Sequence, residues 1–289
     1  MNIVRQKLVS NVNYRKLYER MNIQLFDSSL RNRNTQSLQK KSNLFYDIIT
    51  NYKPQNIEIG SMNRIAQEQI LHHPRFAKNT GSLKTKPNLY TIVPNSIILQ
   101  TAITHGFRHF SFITSVKNEC QNKNKEKTSK VDLETCVHLL ENNFQYRMEY
   151  KTKLYFSCIN HCPVIGRLDI VVLLNKLMEY YKTYDFDEYC ICDTDGNLKT
   201  DDFEYLLNSM ILFGIHPDNI SVRLPIGKES KVKRILWHCF RNNIHKFDVS
   251  LHPPTLTYDV LYHNIDQYLE HRLSLSKNNS MVVMATNTF

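Results

Sequence analysis

Glycine is scarce in this chain, with seven residues in 289. No Gly-x-Gly-x-x-Gly turn is present, so the usual backbone cradle for a dinucleotide pyrophosphate is missing. No apolar run approaches the roughly 20 residues that span a bilayer. No RNA- or DNA-binding motif accompanies the basic charge, so nucleic acid is an unfavoured partner. No three-part signal peptide is recognisable. The seven cysteines include the close pairs Cys158–Cys162 and Cys190–Cys192, a spacing that raises zinc. Cys190 and Cys192 fall within an apolar run, however, and read as small buried hydrophobes. The expected setting is intracellular and reducing, cytoplasmic rather than mitochondrial.

What is present is ordinary for a folded domain: 42% hydrophobic and 22% charged residues, enough for one large core. Lysine and asparagine are abundant, the bias of an AT-rich genome. The formal charge of +10 is largely peripheral. Residues 1–23 carry Arg5, Lys7, Arg15, Lys16 and Arg20 against Glu19 and read as a basic extension with a surface helix. Residues 117–130 hold five lysines against Glu119 and Glu126, the pattern of a solvated loop.

From Gln24 the pattern alternates. Short apolar runs lie near 24–28, 56–61, 89–93, 109–115, 153–158, 188–193, 219–224 and 246–250, with helical periodicity between them. Val137, Leu140, Phe144 and Met148 step by threes and fours, as do Ile170, Leu174, Leu177 and Tyr181, and Leu261, Ile265 and Leu269. Gly106 and Gly214 are expected helix stops, and Asn95 an N-cap. Eight strand–helix units in this length predict an α/β fold, a single (β/α)8 TIM barrel over 24–273, with 274–289 as a C-terminal tail. A doubly wound open sheet is the architectural alternative.

In such a barrel, chemistry gathers at the C-terminal strand ends. The stretch Glu188-Tyr-Cys-Ile-Cys-Asp-Thr-Asp-Gly196 reads as a buried strand whose polar tip delivers Asp193, with Thr200, Asp201 and Asp202 opening the next helix. Other strand ends offer Arg31 and Asn32, Glu58, Asn95, Arg223, and the run Asp248-Val-Ser250. His161 beside Cys162 raises a Cys–His pair, for which the sequence offers no orienting partner, and His252 a residue at the mouth, where the adjacent Pro-Pro reads as a tight turn.

These segments carry a resemblance. Ile57-Glu-Ile-Gly-Ser61, Tyr90-Thr-Ile-Val-Pro-Asn95, Ser157-Cys-Ile-Asn-His-Cys-Pro-Val-Ile-Gly166 and Tyr189-Cys-Ile-Cys-Asp-Thr-Asp-Gly196 follow the order and spacing of the hydroxymethylglutaryl-CoA lyase family, over residues 24–250. The resemblance implies a TIM barrel that cleaves a carbon–carbon bond with a divalent cation such as magnesium. In that family the cation is held by an Asp after a catalytic Arg, a His-x-His pair on strand seven and an Asn after strand eight. A cysteine in a glycine-rich loop assists proton transfer.

This chain departs from that pattern at the metal. Arg31 matches the catalytic Arg, and Glu58 and Asp193 are kept. Asn32 replaces the ligand Asp, Arg223 and Pro225 stand where the histidines belong, and no cysteine follows Cys239. A hard divalent ion requires oxygen ligands and carboxylate charge, and a fixed guanidinium repels it. The expectation is a catalytically degenerate barrel with no metal or other cofactor, which binds an anionic small molecule or acyl-CoA through Arg223, Asn95 and Asn32, or a protein partner. Arg31, Glu58 and Asp193 are its catalytic residues if it is active. Arg223 is expected to act as a permanent cation, paired with Asp193 or Glu58. The rivals are an active metal-independent lyase using Arg31 and Arg223, and a scaffold for nucleic acid or an anionic surface.

Overall fold

A computed structural model of the chain describes residues 2–31, 38–61, 87–115, 128–142, 150–159, 161–162 and 166–286. Eight parallel strands close into a barrel: β1 (Gln24–Asp27), β2 (Asn56–Ser61), β3 (Asn88–Ile92), β4 (His109–Ser115), β5 (Lys151–Ser157), β6 (Glu188–Cys192), β7 (Ile220–Arg223) and β8 (Lys246–Val249). The seam joins first to last, with Leu25 beside Phe247 and Asp27 beside Val249. The open-sheet alternative is thereby set aside.

Helices α1 (Asn2–Ser10) and α2 (Val12–Met21) precede the barrel. Then come α3 (Leu38–Asp47), α4 (Ser96–Thr104), α5 (Lys130–Asn142), α6 (Ile170–Thr183), α7 (Thr200–Leu212), α8 (Glu229–Arg241) and α9 (Tyr258–Thr286). Asn95 caps α4, its side chain accepting from the Ile98 amide at 3.0 Å. Gly106 and Gly214 follow α4 and α7 at positive φ. Thr200 is the first residue of α7 rather than its cap, with Asp201 and Asp202 in the first turn. Phe144, Met148, Asn32, His72 and His73 lie outside the described residues.

The period of two along each strand separates two cores. Ile57, Phe110, Phe112, Leu154, Phe156, Ile191, Val222 and Phe247 belong to the large cluster shared with the helices. Each such side chain, fully buried, contributes about 1.5–3 kcal/mol. The alternate positions Phe26, Tyr90, Ile92, Ile113, Tyr155 and Cys190 form a separate, smaller cluster filling the barrel.

The basic N-terminal segment is helical: residues 2–21 form a helical hairpin docked on α9. Val4, Tyr14 and Met21 join the main core, because the hairpin has an apolar face that needs covering. Lys7 Nζ pairs with Asp266 at 2.9 Å and Glu270 at 2.6 Å, and the Tyr14 hydroxyl donates to Asp266 at 2.9 Å. Residues 274–286 continue α9, for no glycine or proline interrupts 258–286.

Candidate functional site

Inward positions on β5, β6, β7 and β8 carry a column of charge up the barrel axis. At the N-terminal end, Lys246 Nζ lies 3.3 Å from Glu188 Oε2. Glu188 Oε1 pairs with Lys153 Nζ at 2.7 Å, and the same ammonium reaches Asp248 Oδ1 at 2.5 Å. Lys153 is fully buried, and its ammonium sits 3.7 Å from the centre of the Phe26 ring. Burial pushes its pKa down, but Asp248 and Glu188 more than reverse this and hold it above the ordinary lysine range. Burial likewise opposes the charge of Glu188, and Lys153 and Lys246 overcome it, leaving its pKa lowered.

Asp248 is the hub. Its Oδ2 accepts from the Tyr155 hydroxyl at 2.7 Å and from Arg223 Nη1 at 3.4 Å. Arg223 also donates to Ser28 Oγ at 2.8 Å and to Thr255 Oγ1 at 3.1 Å. The expected pairing of Arg223 with Asp193 or Glu58 is therefore corrected: its carboxylate partner is Asp248, the inward acid on the neighbouring strand β8. Arg223 does point into the barrel, as its alternation with Ser221 requires, and its charge is stabilised beyond that of a free guanidinium.

Asp193 is turned elsewhere. Cys190 and Cys192 face inward, so the next residue faces the helices. Its Oδ2 pairs with Lys231 of α8 at 3.0 Å, and its Oδ1 accepts from the Leu198 amide at 3.3 Å. Lys231 also donates to the Gly196 carbonyl at 2.6 Å. The side chain fastens the loop after β6 to α8. Asn95 is likewise engaged as a cap.

Arg31 and Glu58 meet. Arg31 Nε stands 3.3 Å from Glu58 Oε1, with its guanidinium 5.0 Å above the Tyr155 ring. Glu58 has no exposed surface, and among the described residues neither of its oxygens has a hydrogen-bond partner. The backbone beyond it is irregular. The register of β2 on β3 shifts between Glu58 and Ser61, and Gly60 holds φ +95°, open to glycine at little cost. Cys192 is also buried here; burial raises its thiol pKa although Arg223 and Arg31 pull the other way, so it rests as a neutral thiol.

Elsewhere on this face, His161 Nδ1 lies 3.6 Å from Asp195 Oδ2, and the Cys158 amide is directed at Thr194 Oγ1, 3.4 Å away. His252 is exposed. Among the described residues, no group of three His, Cys, Asp or Glu side chains is placed to hold a metal ion, and no helix is long and apolar enough to cross a membrane.

Sequence analysis singled out Arg31, Glu58 and Arg223, and missed Lys153, Tyr155 and Glu188. Asp248 was noted only as a strand-end residue. The signal for β5 was its alternation: Lys153, Tyr155 and Ser157 share one face, and apolar Leu154 and Phe156 the other.

No protein-family model matches the chain, and no curated protein matches it. Solved structures do. The barrel is similar to hydroxymethylglutaryl-CoA lyase from Pseudomonas aeruginosa, with TM-score 0.67 and 17% identity, covering 86% of this chain and 86% of that one. It is similar to the lyase from Acinetobacter baumannii in complex with coenzyme A and 3-methylmalate, with TM-score 0.65 and 13% identity, covering 88% and 90%. The carboxyl transferase domain of Rhizobium etli pyruvate carboxylase with pyruvate gives TM-score 0.54 and 11% identity, covering 85% of this chain and 43% of that one. At these identities the likeness establishes the fold alone, a TIM barrel.

Proposed function

We propose that this is a lyase-like barrel that has lost the family's metal chemistry and binds a small carboxylate at its mouth, on Arg223. The observation that carries the reading is the engagement of Asp248. Both of its oxygens are taken up by Lys153, Tyr155 and Arg223, so the inward acid of β8 is committed to cations of the chain itself. A divalent ion placed beside Arg223, Arg31 and Lys153 would meet three fixed positive charges. At about 4 Å each unit pair repels by about 4 kcal/mol near a protein surface. The donors present do not fit such an ion. An anion fits better: the axial and mouth groups Arg31, Lys153, Arg223 and Lys246 outnumber Glu58, Glu188 and Asp248 by one charge. Guanidinium is also the group best shaped to grip a carboxylate. Among the similar structures, the Acinetobacter baumannii lyase holds coenzyme A with 3-methylmalate, and the carboxyl transferase domain holds pyruvate. An acyl-CoA or a free acid is therefore the ligand class.

Calorimetry is the test. Magnesium and manganese should give no heat at micromolar affinity, while small carboxylates bind in the millimolar range or tighter and lose at least tenfold in Arg223→Met. Micromolar metal binding that disappears in Glu58→Gln would overturn the reading.

A second reading, metal-independent cleavage of an acyl-CoA, draws on the Arg31–Glu58 contact at 3.3 Å. There the guanidinium would stabilise enolate charge as the bond breaks. Chelator-insensitive release of a carbonyl product from hydroxymethylglutaryl-CoA, lost in Arg31→Met, would establish it. Absence of turnover with bound ligand favours the first.

A further inference from the structure

A recess lies at the opposite end of the barrel from the mouth. It encloses about 660 Å³, within the range of small-molecule sites. The last turn of α5 forms one wall, and the segments leading into β5 and β6 form the others. Its floor is apolar and largely aromatic. Leu140, Tyr150, Tyr184 and Phe186 form it, and each belongs to the main core. Tyr184 and Phe186 pack edge to face with ring centres 6.1 Å apart, so the floor is preformed.

The rim has one dominant sign. Glu141, Asp185 and Asp187 line it against Lys151, three negative charges to one positive. Lys151 Nζ is held by Asp187 Oδ1 at 2.7 Å, and Asp187 Oδ2 also accepts from the Thr152 amide at 2.9 Å. Beside the floor, Glu134 accepts from the Tyr184 hydroxyl at 3.3 Å, and Arg108 stands 5.7 Å from the centre of the Tyr150 ring. These two add one charge of each sign, so the excess of two negative charges remains. The backbone reinforces it. Helix α5 ends here with Glu141 in its last turn and no basic residue there, and Tyr184 caps the end of α6. The carbonyl ends of helices attract cations and disfavour acids. Aromatic faces attract cations as well.

We infer that this recess binds a small organic amine, its apolar body on the aromatic floor and its ammonium at the rim beside Glu141 and Asp185. The site shares no residue with the mouth and does not depend on what binds there. It repels the carboxylates proposed for the mouth, so the two ends of the barrel select opposite charges.

The test compares ligands that differ only in their charged end. Phenethylamine, phenethyl alcohol and 3-phenylpropionate carry one phenylethyl group and end in an ammonium, a hydroxyl and a carboxylate. Tryptamine, tryptophol and indole-3-propionate form a larger set. Each is titrated into the whole protein by calorimetry. The amine of at least one set should bind in the millimolar range or tighter, and tenfold or more tighter than both of its analogues. Glu141→Gln combined with Asp185→Asn should erase that preference. Val137→Trp, which narrows the recess from the α5 wall, should weaken the amine at least tenfold. If neither amine exceeds its alcohol tenfold on the wild-type protein, the inference fails. A preference that persists unchanged in the double variant places the binding elsewhere and overturns it as well. Glu141 and Asp185 are both exposed, so their replacement leaves the core untouched and the decisive comparison does not hang on the folding of Val137→Trp.

Discussion

The tips of β2 and β6 each present one buried carboxylate, and the two are treated in opposite ways. Asp193 is satisfied by its own surroundings, with Lys231 at 3.0 Å and a backbone amide at 3.3 Å. Glu58 has a guanidinium nearby and, among the described residues, no hydrogen-bond partner. A carboxylate whose partners are built in does structural work, here anchoring a loop to α8. One that lacks them relies on a neighbouring cation, here the Arg31 guanidinium at 3.3 Å, to offset its burial.

Four substitutions break or sharpen that contrast. The largest effect is expected at the axis, the extreme of the satisfied kind. Lys153→Met leaves Glu188 and Asp248 facing each other without their shared cation, at a cost of about 3–5 kcal/mol. Urea unfolding should show a matching drop in midpoint, or no folded protein.

Asp27 comes next, as a buried acid whose satisfaction is incomplete in another sense. Burial pushes its pKa up to about 6, against the hydrogen bonds from Tyr258 and Ser29 that hold it down. In the unfolded chain it titrates near about 3.9. The folded value is the higher, so its contribution to stability is fully present below about pH 4 and is lost as pH rises through about 6. A shift of about two units corresponds to about 3 kcal/mol. Asp27→Asn should flatten this part of the stability profile between pH 4 and 7 and gain stability at pH 7 relative to wild type. An unchanged slope would remove Asp27 as its source.

Asp193→Asn should cost only about 1 kcal/mol, since Lys231 keeps partial contact with water and exposed pairs are weak. The loss should be shared with Lys231→Met in a double-mutant cycle. Glu58→Gln completes the series, with a change within about 0.5 kcal/mol, because relief of the buried charge offsets the lost attraction to Arg31 at 3.3 Å. Thermal unfolding near wild type separates Glu58 from Asp193. A large destabilisation would place Glu58 among the structural acids.

The barrel was legible because strands covered on both faces are short apolar runs, and each of the eight was found within a few residues. Gly106, Gly214 and Asn95 marked helix ends for reasons local to the backbone. The site was less legible because side-chain direction depends on parity within a strand. Asp193 lies one step past inward-facing Cys192 and so turns to α8, while Arg223 shares its face with Ser221 and turns in. Its partner Asp248 lies 25 positions away, a contact made by the in-register pairing of β7 and β8 and written in no local pattern. Lys153 was hidden by its type, for lysine inside a barrel is intelligible only once Asp248 and Glu188 are seen on either side. At the N-terminus the charge pattern pointed to a surface helix, and the apolar face that docks it, with Val4, Tyr14 and Met21, was not read.

The hairpin of α1 and α2 on α9 also bears on how the molecule assembles. The barrel closes only when β1 meets β8, a seam joining residues 221 positions apart. Seams of such separation form late and slowly, since the chain surrenders the freedom of the whole intervening loop before any contact rewards it. Lys7 and Tyr14 clasp Asp266 just outside that seam, so the clasp and the seam close the same ring. Once either has formed, the other is a search over a few tens of residues instead of the full circumference. The hairpin thus acts on the barrel as a buckle acts on a belt: it adds little to any one strand and keeps the circle from reopening.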